Sequence, residues 1–294
     1  MGVSNDEIIS SGSQVWVALL LTMVGGLSTA LGGLVVVLQP TPNLKRLGIL
    51  QGLAAGLMFS ISFNDLMHNA INAIGFPRAH LWFFGGVLMF AGVVTLIPEP
   101  SLTPQQNAAM DAAGKGKGIK QGKDVEKPHL MRQRRKQVLM SGIVTAVGIG
   151  LHNFPEGIAV FLGSIKGLRV GISLACAIAL HNIPEGVAVA LPVYFATESK
   201  WKAFQLAAFS GLAEPLGVII VATLFPQSMP HHILEGLLAG VGGIMAFLTL
   251  HEMVPLALEY AGRRQAIASV FIGMALMSVS LYLLEISVPQ DLKL

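Results

Sequence analysis

The chain contains one cysteine, Cys176, which leaves it without an intramolecular disulfide framework and without a cysteine-based zinc site. That cysteine sits inside an apolar run and reads as a buried packing residue. Charge is also scarce. Charged residues make up 12% of the 294 positions, about half the usual share in a soluble protein. This shortage argues against a soluble enzyme, a nucleic-acid binder, a disordered regulator and a coiled coil. No Lys or Arg precedes Lys45, so the first apolar stretch lacks the basic start of a secretory signal and is expected to be retained.

Apolar and small residues dominate instead. Hydrophobic residues reach 53%, glycine occupies 33 positions and the mean hydropathy is +0.67. The combination fits membrane helices, where small residues let neighbouring backbones approach. Eight apolar stretches are long enough to span: 15–38, 46–74, 79–97, 138–163, 169–196, 203–225, 232–258 and 264–287. They predict an all-α integral membrane protein with eight transmembrane helices, read as a single transmembrane domain over 1–294. Trp16, Trp82 and Trp201 fall near the start of spans, where an amphipathic ring sits at the interface.

Eight spans place both termini on one side, and the basic residues choose it. Fifteen Lys and Arg fall in the connections opposite the termini, nine of them between Lys115 and Lys136. Only Arg78, Lys166, Arg169 and Lys293 fall on the side of the termini. The positive-inside rule therefore puts the termini outside or in an organelle lumen, and the 98–137 connection in the cytosol. That connection, between helices three and four, includes GKGKGIKQGK and MRQRRK. Its basic, glycine-containing composition cannot bury enough surface to fold alone, so it reads as a largely disordered linker.

Residues 147–160, VGIGLHNFPEGIAV, and 176–189, CAIALHNIPEGVAV, agree at nine of fourteen positions. Each copy sets a His and a Glu four apart, His152 with Glu156 and His181 with Glu185, on one helix face. Asn153 and Asn182 stand beside them. Imidazole, carboxylate and amide oxygen together suit borderline divalent ions such as Zn²⁺ and Fe²⁺. Pro155 and Pro184 are expected to kink their helices and free a carbonyl towards the site. Gly157 and Gly186 are expected to let the two repeat helices approach.

Asp65, Glu156, Glu185, Glu214 and Glu252 all lie inside apolar spans. At about 3 kcal/mol each, five intramembrane carboxylates cost on the order of 15 kcal/mol, which bound cations would offset. Glu214 precedes Pro215 and reads as a further ligand. Asn64, Asp65 and His68 in the second span, and His251 and Glu252 in the seventh, are candidates for the transport pathway. His251 and Glu252 lack the second histidine of a zinc-protease helix. Glu235, Glu285, His231 and His232, nearer span ends, read as snorkelling or solvated residues.

HNFPEG at 152–157, HNIPEG at 181–186 and AEPLG at 213–217 resemble the metal-site motifs of the ZIP family of divalent-metal transporters, in the branch of bacterial ZupT-like and plant zinc transporters. The resemblance covers nearly the whole chain. It implies a helical bundle with a binuclear metal site between helices four, five and six. One position would take His181, Glu156 and Glu185, with His152 contributing. The second would take Asn153, Asn182, Glu156, Glu185 and Glu214. Some relatives carry an acid where Asn182 stands, which implies a second position that is weaker or of altered preference.

The function expected is a carrier moving Zn²⁺, with Fe²⁺, Mn²⁺ and Co²⁺ as further candidates, into the cytosol by alternating access. The alternative is an intramembrane zinc-dependent hydrolase. Against it, a catalytic zinc usually has three protein ligands and an open position, and the doubled motif offers more. Expected partners are divalent metal ions and the lipid bilayer, with a homodimer left open and nucleic acid excluded. A plasma-membrane location and an endomembrane one, such as the endoplasmic reticulum, are equally compatible with the sequence.

Overall fold

The computed structural model of the chain describes residues 5–38, 43–95, 148, 150–224 and 230–287. Among these residues every regular element is a helix. In order they are α1 (Asn5–Leu38), α2 (Leu44–Ser60), a π-helical turn π1 (Ile61–Met67), α3 (His68–Ile74) and α4 (Phe76–Thr95). A helix over 150–166, here α5, follows. Then come α6 (Leu168–Thr197), α7 (Lys200–Gly211), α8 (Ala213–Leu224), α9 (His231–Leu248), π2 (Thr249–Met253), α10 (Val254–Ala261) and α11 (Arg263–Ser287). Helices satisfy their own backbone groups, which the hydrocarbon of a bilayer demands.

Local chemistry marks the ends. The Asn43 side chain accepts from the Arg46 N–H at 3.2 Å, and Ser199 accepts from the Lys202 N–H at 3.4 Å. Gly75 (φ 83°) and Gly262 (φ 76°) make the sharp turns into α4 and α11 in a conformation that side chains disfavour. Seven helical segments among the described residues are long and apolar enough to cross a membrane, so this is a multi-pass membrane protein. The expected count was eight. The fourth expected span is helical over 150–166, and much of its earlier part lies outside the described residues, as does the 98–137 connection.

The helices form two groups. In the first, α1 packs against α6, α7 and α8, and α5 joins it through Gly157, which abuts the Glu214 backbone. In the second, α2 packs on α10 and α11, and α9 on α3, α4 and π1. Each group is drawn tight by glycine: Gly26 meets Gly211 and Gly32 meets Gly186 in the first, and Gly86 meets Gly240 and Gly56 meets Gly273 in the second. Between the groups α2 lies on α6, and the shared core there is built of side chains such as Met58, Ile61, Phe161, Leu174 and Met245. Backbones are interlocked within each group, whereas the seam is apolar side chain against apolar side chain. The flanks present large apolar residues outward, including Leu88 and Phe271, as lipid-facing helices do.

Helix continues through Pro155 and Pro184, and a full break falls at Leu212, three residues before Pro215, where the Leu212 N–H reaches the Phe209 carbonyl in a tighter turn. Three expectations are corrected here. Gly157 and Gly186 do not face one another: Gly157 lies against Glu214 of α8 and Gly186 against Thr29 of α1. Cys176 is exposed rather than buried, because it lies on the outer face of α6. Glu235 is fully buried rather than snorkelling, because Lys166 reaches it.

Candidate metal centre

The two repeats deliver their ligand types to one point. His152 and Glu156 are a turn apart on α5, and His181 and Glu185 a turn apart on α6. His152 Nε2 lies 3.0 Å from Glu185 Oε1 and 3.3 Å from Glu156 Oε1. His181 Nε2 lies 2.7 Å from the same Glu156 oxygen. The two imidazole centres are 6.4 Å apart. One ligand atom from each of the four residues can be chosen so that all lie within 4.8 Å of one another. Two ligands about 2.1 Å from a tetrahedral zinc ion would sit roughly 3.4 Å apart, close to these separations. All four residues are at most 4% exposed, so the site lies inside the bundle.

Hydrogen bonding aims the cluster at a cation. His181 Nδ1 lies 3.0 Å from the Ala177 carbonyl. Donation there leaves Nε2 facing Glu156 with a lone pair, the arrangement that metal-ligating histidines adopt. Two acceptors this close require a shared proton or a cation bound to both. Glu156 Oε2 and His152 Nδ1 are buried without hydrogen-bond partners, and His152 Nε2 is near the carboxylates without hydrogen-bond alignment. Each such group costs about 1–3 kcal/mol if left unsatisfied. A divalent ion would engage the unpaired carboxylate.

Beside this cluster lies a second polar group. Asn182 Nδ2 donates to Glu214 Oε1 at 2.5 Å and to the Gly25 carbonyl at 3.2 Å. Asn153 Nδ2 donates to the Ser210 carbonyl at 3.5 Å. Glu214 is fully buried but does not join the four-residue cluster. Glu214 Oε2 and Asn182 Oδ1 keep no hydrogen-bond partner.

The sequence did not point to α1 as a wall of the site. Any side chain at Gly25 would collide with the Glu214 carboxylate, and the buried Thr29 packs its carbonyl against Gly186. The available signal was the pair of glycine doublets Gly25-Gly26 and Gly32-Gly33, a small-residue stripe of the kind that permits close helix approach.

The other candidate pathway residues are not brought into the cluster. Asn64 and Asp65 fall in π1 and His68 just after it, whereas His251 and Glu252 fall in π2. Asp65 accepts from Asn69 at 2.7 Å, Asn64 donates to Ser60 at 3.2 Å, and His68 pairs with Asn72 at 3.0 Å. Both π turns were illegible in the sequence, yet each holds candidates picked for their chemistry. Such wide turns recur at functional sites.

An all-helical membrane bundle that encloses a wholly buried His/Glu cluster is a multi-pass membrane protein with a cluster able to hold a divalent cation. Comparison with known proteins gives the family. The family model described as ZIP Zinc transporter matches residues 14–281. Zinc transporter ZTP29 of Arabidopsis thaliana is 66% identical over 282 residues, covering 96% of this chain and 99% of that protein. Protein zntB of Dictyostelium discoideum is 37% identical, covering 95% of this chain and 85% of that protein. Zinc transporter ZupT of Oceanobacillus iheyensis is 39% identical, with 91% and 97% covered. The chain belongs to the ZIP zinc transporter family. It is a metal-ion transporter rather than an enzyme, and the hydrolase alternative falls.

Proposed function

We propose that this chain carries Zn²⁺ from the extracellular or luminal side into the cytosol, binding it between α5 and α6 through His152, Glu156, His181 and Glu185. The observation that carries this reading is the burial of all four side chains at one point, with carboxylate and imidazole atoms left unpaired. The names of the relatives support zinc as the cargo. Fe²⁺, Mn²⁺ and Co²⁺ belong to the same proposal, because the ligand types accept them.

A second metal position would use Asn153, Asn182 and Glu214 together with the two shared glutamates, Glu156 and Glu185. Glu214→Gln is then expected to reduce zinc uptake severalfold and to lower the zinc bound by purified protein from two ions to one. Two ions still bound to Glu214→Gln would remove Glu214 from the site. Asn64, Asp65 and His68 are placed on the outer approach, and His251 and Glu252 on the cytosolic exit.

Alternating access would come from the two helix groups moving against each other across the apolar seam, with the site carried on the α1–α5–α6–α8 group. We place the whole chain in one transmembrane domain of eight crossings, in the plasma membrane or an endomembrane such as the endoplasmic reticulum. The termini would be extracellular or luminal and a homodimer is compatible with this arrangement. In this topology the 98–137 connection is cytosolic and largely disordered. A protease added outside intact cells, or outside sealed vesicles with their cytosolic face inward, is expected to spare the stretch from Lys115 to Lys136. Cleavage there without permeabilisation would reverse the orientation and the inward direction with it.

A further inference from the structure

Lys166 ends α5 just before Gly167, and Glu235 lies in the first turns of α9. The Lys166 ammonium is 2.8 Å from Glu235 Oε1 and 3.0 Å from Oε2, straddling the carboxylate. The Glu235 side chain is 1% exposed and that of Lys166 23%. His231, one turn before Glu235 and largely exposed, comes within 4.0 Å of the same carboxylate. Asp65 of π1 lies within electrostatic reach of both partners. The pair therefore ties α5, in the group that holds the metal cluster, to α9, in the other group. In the topology proposed above, this is the bundle end that also carries the Gly75 turn.

Packing alone does not explain an ion pair there. Taking a carboxylate and an ammonium out of water costs several kcal/mol per ion, and apolar residues of similar volume usually pack as well or better. The glycine contacts already lock each group internally, while the seam beside the pair is apolar side chain. A buried pair across such a seam has two comfortable states. Closed, the charges satisfy each other; open, each is hydrated. Intermediate separations that strand either charge in the apolar seam are costly, so the tie favours two discrete arrangements.

We propose that Lys166 and Glu235 form an ionic latch that holds the outer or luminal mouth of the transporter closed. The latch rests on the proposed inward carriage of zinc, since it assigns the pair's end of the bundle to the side from which the ion arrives. Parting the pair admits the ion, and re-forming it seals the mouth while the site faces the cytosol. Removing either partner abolishes the attraction that holds the closed form, and removing Lys166 also strands the buried Glu235 carboxylate there, so either change biases the protein to the open form.

The test reads the mouth directly and needs no zinc. Ser173 is buried on α6, about two turns before His181 and near the end of α6 that follows Lys166. In a Cys176→Ser background, Ser173→Cys supplies a single thiol for a membrane-impermeant, cationic methanethiosulfonate reagent added to purified protein in proteoliposomes, scoring the molecules whose outer or luminal side faces the reagent. Glu235→Gln is expected to raise the labelling rate about tenfold, corresponding to a bias of about 1.4 kcal/mol. Lys166→Met, which strands the carboxylate instead, is expected to do the same and serves if Glu235→Gln does not reach the membrane. The exchanged pair Lys166→Glu with Glu235→Lys is expected to return labelling towards the parent rate. A single variant that is inserted normally and labels at the parent rate overturns the latch, as does an exchanged pair that labels as fast as the single variants. Loss of zinc uptake in Glu156→Ala is scored separately, so the carrier reading and the latch fail by different measurements.

Discussion

Zinc uptake by Glu156→Ala is expected to fall to the background of cells lacking the transporter, with the protein still inserted in normal amount. Glu156 Oε1 is the atom that meets both histidines, 2.7 Å from His181 Nε2 and 3.3 Å from His152 Nε2. Its other oxygen is buried and unpaired. Alanine removes the one carboxylate that meets both histidines and leaves only the His152–Glu185 contact between the two repeats. Insertion should survive, because an alanine in a membrane helix is favourable where a carboxylate costs about 3 kcal/mol. The distinguishing measurement is uptake of radiolabelled zinc at matched surface amount, with Glu156→Gln beside it. Glutamine preserves shape but not charge, so it should also fail to carry zinc. Near-normal uptake by either variant would show that the ion does not bind at this cluster.

How much of this was legible beforehand depends on the length of the physical signal. The spans were readable because crossing hydrocarbon needs about 20 consecutive apolar residues, a signal no short motif imitates. The His152–Glu156 and His181–Glu185 pairs were readable because a four-residue spacing fixes a common helix face, and because the same six-residue pattern occurs twice. Sequence spacing said nothing about which third helix each repeat would meet. Gly157 and Gly186 were therefore assigned to each other, when one serves α8 and the other α1. Proline marks no break at Pro155 or Pro184, which α5 and α6 pass as helix; the break between α7 and α8 falls at Leu212, before Pro215. The π turns at Ile61–Met67 and Thr249–Met253 have no compositional mark at all. Glu235 was misread for a related reason: nearness to a span end suggests solvent, but a lysine sixty-nine positions earlier reaches it.

The glycine of each repeat carries the other large expected effect. Gly157→Val should lower the protein's stability markedly, and Gly186→Val should do the same. A Cβ at 157 would overlap the backbone carbonyl of Glu214, and one at 186 the backbone carbonyl of Thr29. Neither obstacle is a flexible side chain, so relief requires prising α8 from α5 or α1 from α6. Overpacking of this kind typically costs 1–3 kcal/mol, occasionally more, against a total stability of about 5–15 kcal/mol for a domain. The same movement would displace Glu214 and the Gly25 carbonyl, which receive the two Asn182 hydrogen bonds, so any surviving protein should also be impaired in transport. Gly85 and Gly92 on α4 are internal controls, since a Cβ at either meets nothing within 4 Å. Thermal unfolding of detergent-solubilised protein, followed by size-exclusion chromatography after heating, should place Gly85→Ala and Gly92→Ala beside the parent and both valine variants well below it. Valine variants as stable as the alanine controls would mean that α5 and α6 do not touch α8 and α1 through these glycines, and the wall that α1 provides to the metal cluster would have to be redrawn.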